Sequence, residues 1–391
     1  MNQHSSEPDG PARTTPDAPG RAVDPIVRGL SGLDGVATAP ATTLSELTTL
    51  RIGGRPRALL ECGTADAVVE VVRALDEASE PVLVLGGGSN LVVAGGDLDL
   101  TVVAVRNREV EYLDDSGELI VRAGAGLTWD DLVADTVERG YGGLECLSGI
   151  PGSVGATPVQ NVGAYGVEVS QILHRVRWFD RRTGAVEWVT PEALGLAYRT
   201  SVLKNSDRAV VLEVEFRLDA AGRSEPIRYA ELAGRLGVEP GERTDPATVR
   251  ETVLELRRGK GMVLDDDDND TWSAGSFFTN PVIRDEALPA VRDRVAGKLG
   301  DGVAEQMPAF AAPGGTKLSA GWLIERAGFV KGYPSSSSPA RLSTKHTLAL
   351  TNRGAATADD VIALARDVRD GVREAFGVDL HPEPVWVGCS I

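Results

Sequence analysis

A chain of 391 residues exceeds one ordinary domain, and at about 150 residues per domain it predicts two or three. With 42% hydrophobic and 25% charged residues it can bury a core, which excludes a wholly disordered or collagen-like chain. The net charge of −17 argues against generic nucleic-acid or anionic-lipid binding, and no run of about eighteen apolar residues exists to span a bilayer.

The segment from Met1 to about position 42 is rich in Pro, Gly, Ser, Asp and Arg without periodicity and reads as a disordered tail. It lacks the basic-then-apolar layout of a secretion signal, so the cytoplasm is the expected location. Order is expected from Thr43. Thr64 caps a helix with Val68, Val71, Val72 and Leu75 at helical spacing, and the strand Val82–Leu85 then runs into Gly86-Gly87-Gly88-Ser89-Asn90. A second strand, Thr101–Val105, follows. Thr128 is the expected cap of a helix with Leu132, Val133, Thr136 and Val137 inward, ending at Gly140. Strands Val176–Phe179 and Val210–Leu218 bracket a helical turn at Pro191, and Asp245 with Pro246 opens a helix carrying Val249, Val253 and Leu256. Lys317–Gly328 reads as an amphipathic helix, Thr357 caps another that stops at Gly377, and Val385–Ile391 reads as the last strand. Strands and helices interleave irregularly, so the fold class is α+β.

A strand emptying into three glycines suits close backbone approach to a diphosphate, with a tight turn as the plain alternative. The run Ser148–Glu168 holds five glycines and two prolines among apolar residues, which is the composition of an ordered, ligand-wrapping loop rather than a linker. Tyr198, Arg199, Ser201 and Lys204 supply a carboxylate fork and further polar groups in a short stretch. Ser276 lacks the GxSxG frame of a nucleophile and remains open as a positioned proton donor. Asp265 to Asp268 read as a solvated loop. Glu383 stands between two prolines at the mouth of the last strand, which fixes its position. Three cysteines and four histidines, His346 among them, show no metal-ligand spacing, so no metal site is expected.

The stretches LGGGSN, IPGSVGATPVQNVGAYGVE, YRTSVLK, SAGSFFTNP, KLSAGWLIE and HPEP occur in the order seen in one family. From about Leu44 to Ile391 the chain resembles the UDP-N-acetylenolpyruvoylglucosamine reductases, in the subgroup with an inserted tyrosine-bearing segment. The resemblance implies a split FAD-binding region of the vanillyl-alcohol-oxidase (PCMH) type and a separate C-terminal α+β domain for substrate. Residues 43–107, joined by the strand 384–391, would form its first part, 108–265 its second, and 266–383 the substrate domain. It further implies non-covalent FAD held by Gly86, Gly87, Gly88, Ser89, Asn90, Ile150, Pro151, Gly152, Ser153, Gly155, Gln160, Asn161 and Gly163, with NADPH as reductant. Arg199, Ser276 and Glu383 match the family's catalytic positions, while Tyr198, Tyr229, Lys260, Asn280 and His346 would contact a UDP-sugar enolpyruvyl ether. The implied reaction delivers hydride from flavin N5 to C3 and a proton from serine to C2, giving UDP-N-acetylmuramate for peptidoglycan. Two departures stand out: Leu203 replaces the family's phenylalanine, and Asp265 to Asp268 stand near where a proline is usual. Two alternatives remain, an FAD-dependent sugar-alcohol or aldehyde oxidase of the same superfamily and a non-catalytic flavin or nucleotide-sugar binding protein.

Overall fold

The computed structural model describes residues 25–39 and 42–391. Residues 1–24, 40 and 41 of the expected tail lie outside that range, but 25–39 depart from the expectation. Pro25–Leu30 is helical, and the strand Val36–Thr38 pairs antiparallel with Leu60–Cys62, so tertiary pairing supplies the order that this stretch lacks in its own pattern.

The first sheet is built on Asp97–Val105, which lies parallel to Arg55–Cys62 on one side and to Val82–Leu85 on the other. Its residues from Thr101 to Val105 are all buried, as an interior parallel strand requires. The helix Ala65–Glu77 covers this sheet; Val68, Val71, Val72 and Leu75 are fully buried, and the Thr64 hydroxyl accepts from Ala67 N–H at 3.1 Å.

The second sheet is antiparallel, in the order Val186–Val189, Leu173–Asp180, Ala209–Leu218, Glu118–Gly124, Val110–Asp115. One face carries ion pairs between neighbouring strands, Arg122 and Arg175 on Glu215 and Arg177 on Glu213. The other face buries Val121, Val176, Val214 and Phe216. The helix Trp129–Glu138 lies on this apolar side, its Trp129 ring edge-on to Phe216 at 5.4 Å and its indole N–H donating to Leu147 O. Thr128 occupies the cap position but its side chain makes no capping bond. Asp245 does cap the helix Pro246–Gly259, accepting from Thr248 N–H at 2.8 Å.

The third region joins a small sheet, in the order Val282–Ile283, Gly315–Leu318, Ala309–Ala312, to the helices Leu288–Leu299, Ala320–Ala327 and Ala358–Phe376. Lys317 and Leu318, expected in a helix, belong to its central strand; the helix starts only after Ser319, whose hydroxyl caps it. Long-range pairing on both edges overrides the helical spacing there. The last strand is confined to Val385–Val387 and pairs parallel with Leu91–Val93, so the C-terminal stretch returns to the first region. Leu50, Ile52 and Val92 share one core with Phe277, Phe278 and the helix Ala358–Phe376. Among the described residues no helix is long and apolar enough to cross a membrane.

Phe376 is fully buried and its ring lies 6.5 Å from that of Trp322. Phe376→Ala is expected to lower stability by about 3–5 kcal/mol through lost transfer energy and the cavity left behind. The measurement is the shift of the urea unfolding transition.

Candidate active site

The two glycine-rich loops meet main chain to main chain. A Cβ on Gly87 would stand 2.6 Å from Gly152 Cα, one on Gly86 2.3 Å from Ser153 Oγ, and one on Gly152 2.7 Å from Ser89 Oγ. Gly88, at φ +63°, lies against Leu47 O, which a Cβ would meet at 1.9 Å. A side chain is therefore excluded at Gly86, Gly87, Gly88 and Gly152, where the neighbours are main chain and the hydroxyls of Ser89 and Ser153. Among the described residues, no protein acceptor meets the backbone N–H of Gly87, Gly88, Ser89, Gly152 or Ser153. Successive backbone N–H groups without a protein acceptor are the kind of donor that an anion such as a diphosphate can take up. Farther along the second loop, Gly155 abuts Ala125, and Ile150 and Pro151 are half-buried.

From this junction hydrogen bonds lead to the carboxylate. Asn90 Nδ2 donates to Gln160 Oε1 at 2.8 Å and to Glu383 O at 3.4 Å, and Val385 N–H donates to Asn90 O. Glu383 N–H donates to Phe277 O at 2.8 Å, so Glu383 is held between the first loop and the residue following Ser276. Ser276 is itself half-buried, in a segment fixed by Phe277 N–H on Leu348 O and by a bridge from Phe278 to Pro382.

Arg199 faces Glu383 from a third stretch of chain. Its backbone adopts φ +53°, uncommon for a side-chain-bearing residue and a sign of local strain. The guanidinium donates to Asn161 O at 3.3 Å and Gly163 O at 2.8 Å, and its Nε lies 3.6 Å from Glu383 Oε1. Lys204 Nζ donates to Arg199 O at 3.0 Å. Burial pushes the Glu383 carboxyl above its ordinary range, opposed by Arg199 and Lys204, and burial also pulls the Lys204 ammonium down. Beside Arg199, the partly exposed Tyr198 ring sits 5.5 Å from Lys317 Nζ, and Asn280 accepts from Ala320 N–H at 3.0 Å.

A second cluster brings Tyr229, Lys260 and His346 together with two residues the sequence reading did not single out for the site, Tyr165 and Arg257. The Tyr165 and Tyr229 rings stand edge-on at 5.4 Å, and Lys260 Nζ donates to Glu231 at 2.7 Å. Burial alone would lower Lys260; the bond to Glu231 and the nearby Tyr165 outweigh it and hold the ammonium above its ordinary value. Arg257 donates to Met262 O, and its buried Nε has no partner among the described residues. Burial, then Lys260, Lys331 and Arg257, push the His346 imidazole down to about 4, so it is neutral at neutral pH. Tyr165 lies within a sequence run read as ligand-wrapping; nothing in its spacing marked it individually.

The turn Asp265 to Asp268, expected as a solvated loop, is exposed at Asp265, Asp266 and Asp267, and it is also tied down. Asp266 pairs with Arg51, Asp268 pairs with Lys345 at 2.5 Å, and Thr271 Oγ1 donates to the carbonyls of Asp265 and Asp268. Leu203, in place of phenylalanine, is buried.

The raised Glu383 carboxyl makes stability depend on pH. In the unfolded chain it ionises at its ordinary value, and in the folded chain at a higher one. As pH climbs through that interval the unfolded state releases its proton first, so stability falls; below the ordinary value both states keep the proton and the effect disappears. Glu383→Gln is expected to raise Tm, relative to the unsubstituted protein, more at about pH 8 than at about pH 4. Equal shifts at both would refute the buried-acid assignment.

Comparison with known proteins bears on the same stretches. The profile of an FAD binding domain matches residues 56–190, and that of the UDP-N-acetylenolpyruvoylglucosamine reductase C-terminal domain matches residues 267–387. The UDP-N-acetylenolpyruvoylglucosamine reductase of Mycolicibacterium gilvum is 58% identical over 363 residues, 93% of this chain and 100% of its own. That of Nocardia farcinica is 59% identical over 375 residues, 95% of this chain and 96% of its own. The crystal structure of the UDP-N-acetylenolpyruvylglucosamine reductase from Thermus caldophilus superposes with a TM-score of 0.61 at 25% identity, covering 90% of this chain and 99% of that one. With an FAD-binding region followed by a separate C-terminal domain, and with this degree of identity along nearly its whole length, the chain belongs to the UDP-N-acetylenolpyruvoylglucosamine reductase family.

Proposed function

We propose that this enzyme reduces the enolpyruvyl ether of UDP-N-acetylglucosamine to UDP-N-acetylmuramate, a step of peptidoglycan precursor synthesis, with non-covalent FAD and with NADPH as reductant. The chemistry supplied by bound FAD would be hydride transfer from NADPH to C3 of the vinyl ether. The residues present fit that cofactor: Gly86, Gly87, Gly88 and Gly152 offer bare backbone, the N–H groups of Gly87, Gly88, Ser89, Gly152 and Ser153 are unpaired among the described residues, and Asn90, Gln160, Asn161 and Gly163 adjoin them.

Hydride arrival at C3 drives negative charge onto C2 and the attached carboxylate. Arg199 stabilises it. Two of its five N–H groups are bound to carbonyls and its Nε faces Glu383, which leaves one N–H on each terminal nitrogen for a carboxylate. The protonated form of Glu383, which burial favours, would hydrogen-bond the developing charge; one such donor is worth roughly 2.7–4 kcal/mol of barrier. Ser276 then delivers a proton to C2, which balances the added hydride. Serine is a weak acid, so the transfer relies on alignment against a strongly basic carbanion. Tyr229 and Lys260 hold the UDP end, and Tyr198, Asn280 and the neutral His346 line its approach. The observation that carries this reading is the meeting of three separate stretches: Arg199 Nε 3.6 Å from Glu383 Oε1, and Glu383 N–H bound to the residue following Ser276.

Ser276→Ala is expected to leave NADPH-driven flavin reduction intact and to slow flavin reoxidation by the enolpyruvyl substrate by about 10²–10⁴-fold, read by anaerobic stopped-flow absorbance. Equal slowing of both half-reactions removes the proton-donor role. Gly87→Ala forces a methyl into the Gly152 backbone and is expected to yield protein with a lower flavin-to-protein absorbance ratio. A full complement of flavin in that variant would refute the loop contact as a cofactor determinant.

A further inference from the structure

Thr49 touches both halves of the site at once. Its backbone N–H donates to Gly88 O, in the first glycine loop, at 3.2 Å. Its hydroxyl donates to Ser273 O at 2.7 Å, across 224 positions of sequence, and Ser273 stands three residues before Ser276. The residue is 7% exposed, so neither bond is diluted by solvent.

The turn that carries Thr49 is held from several sides. Thr48 Oγ1 donates to Ile52 O and Arg51 adopts φ +53°. Asn352 Nδ2 donates to Leu50 O at 3.2 Å and Arg51 O at 3.1 Å, while Asn352 N–H donates to Trp272 O at 3.0 Å. The Arg51 guanidinium lies 3.8 Å above the Trp272 ring and pairs with Asp266. Leu50 and Ile52 are buried in the same core as Phe277 and Phe278. The segment ending in Ser276 is thus fastened to a turn that is also fastened to the glycine loop.

We propose that Thr49 is a positioning residue that sets the alignment of Ser276 against the cofactor loop. This rests on the reading that Ser276 delivers the proton. Loss of the Thr49 hydroxyl frees Ser273 O and lets the serine segment shift, while the loop itself keeps its own contacts with Gly152 and Ser153. The proton step depends on that alignment; flavin reduction by NADPH does not.

The test compares Thr49→Val, which keeps the shape but not the hydroxyl, with Thr49→Ser, which keeps the hydroxyl, and runs Ser276→Ala beside them, all as flavin-loaded full-length protein. Thr49→Val is expected to reduce with NADPH at the unsubstituted rate and to reoxidise with substrate about tenfold or more slowly, with a larger solvent deuterium isotope effect on that phase. Thr49→Ser is expected to recover reoxidation. Asn352→Asp, which keeps the acceptor bonds to Gly354 N–H and Ala356 N–H but not the donor bonds to the turn, is expected to show the same split and serves if Thr49→Val does not fold. Equal slowing of both half-reactions, or a Thr49→Ser as slow as Thr49→Val, overturns the proposal while a selective Ser276→Ala defect leaves the reading of Ser276 standing. Absence of any selective defect in Ser276→Ala overturns that reading, and the role of Thr49 with it.

Discussion

Close contact between two glycine-rich loops governs the arrangement of this protein. Gly86 and Gly87 extend from a strand of the parallel sheet, and Gly152 and Ser153 lie in a loop that hydrogen-bonds to the start of the helix Trp129–Glu138, under the antiparallel sheet. The close approach at Gly87 and Gly152 joins the two sheets, and the N–H groups of Gly87, Gly88, Ser89, Gly152 and Ser153 have no acceptor among the described residues. A chain of net charge −17 can in this way attract an anion by oriented peptide dipoles, without a broad basic surface that would also attract nucleic acid. The asparagine that closes the first loop carries the arrangement onward, through Gln160 and the main chain of Glu383, to the charged groups.

Those charged groups are arranged so that attraction does not complete itself. Arg199 and Glu383 are near enough to bias one another, yet at 3.6 Å they form no close bidentate pair. The guanidinium is occupied by two peptide carbonyls, and Lys204 is anchored to the Arg199 carbonyl rather than to the acid. Burial then outweighs two neighbouring cations in setting the behaviour of Glu383. The strained φ of Arg199 occurs in the same residue whose side chain bonds the carbonyls of Asn161 and Gly163.

What could be read in advance was local. Helices capped by Thr64, Asp245 and Thr357 announce themselves because the cap and the first buried turn are neighbours in sequence. Thr128 has the right residue type in the right place, but its helix is held by the Trp129 side chain instead. The strand Gly315–Leu318 was hidden by helix-like spacing because its stability comes from partners at Val282–Ile283 and Ala309–Ala312. The order between Pro25 and Thr38 was hidden for a similar reason. Arg199 and Glu383 were visible as residue types in distinctive settings and Asn280 only through the family resemblance, whereas Thr49 was not visible, since its partners are main-chain groups far away along the chain. Asp265 to Asp268 looked like charge repulsion in water until Arg51 and Lys345, from distant stretches, neutralised part of it.

The parallel pairing of Val385–Val387 with Leu91–Val93 ties late sequence to early sequence. During synthesis the ribosome releases the glycine loops well before this closing strand, and Glu383 emerges only two residues ahead of it. A nascent or prematurely terminated polypeptide that has the cradle still lacks both the acid and the strand that seats it. The order of emergence thus places the contact between the glycine loops before the pairing that seats Glu383.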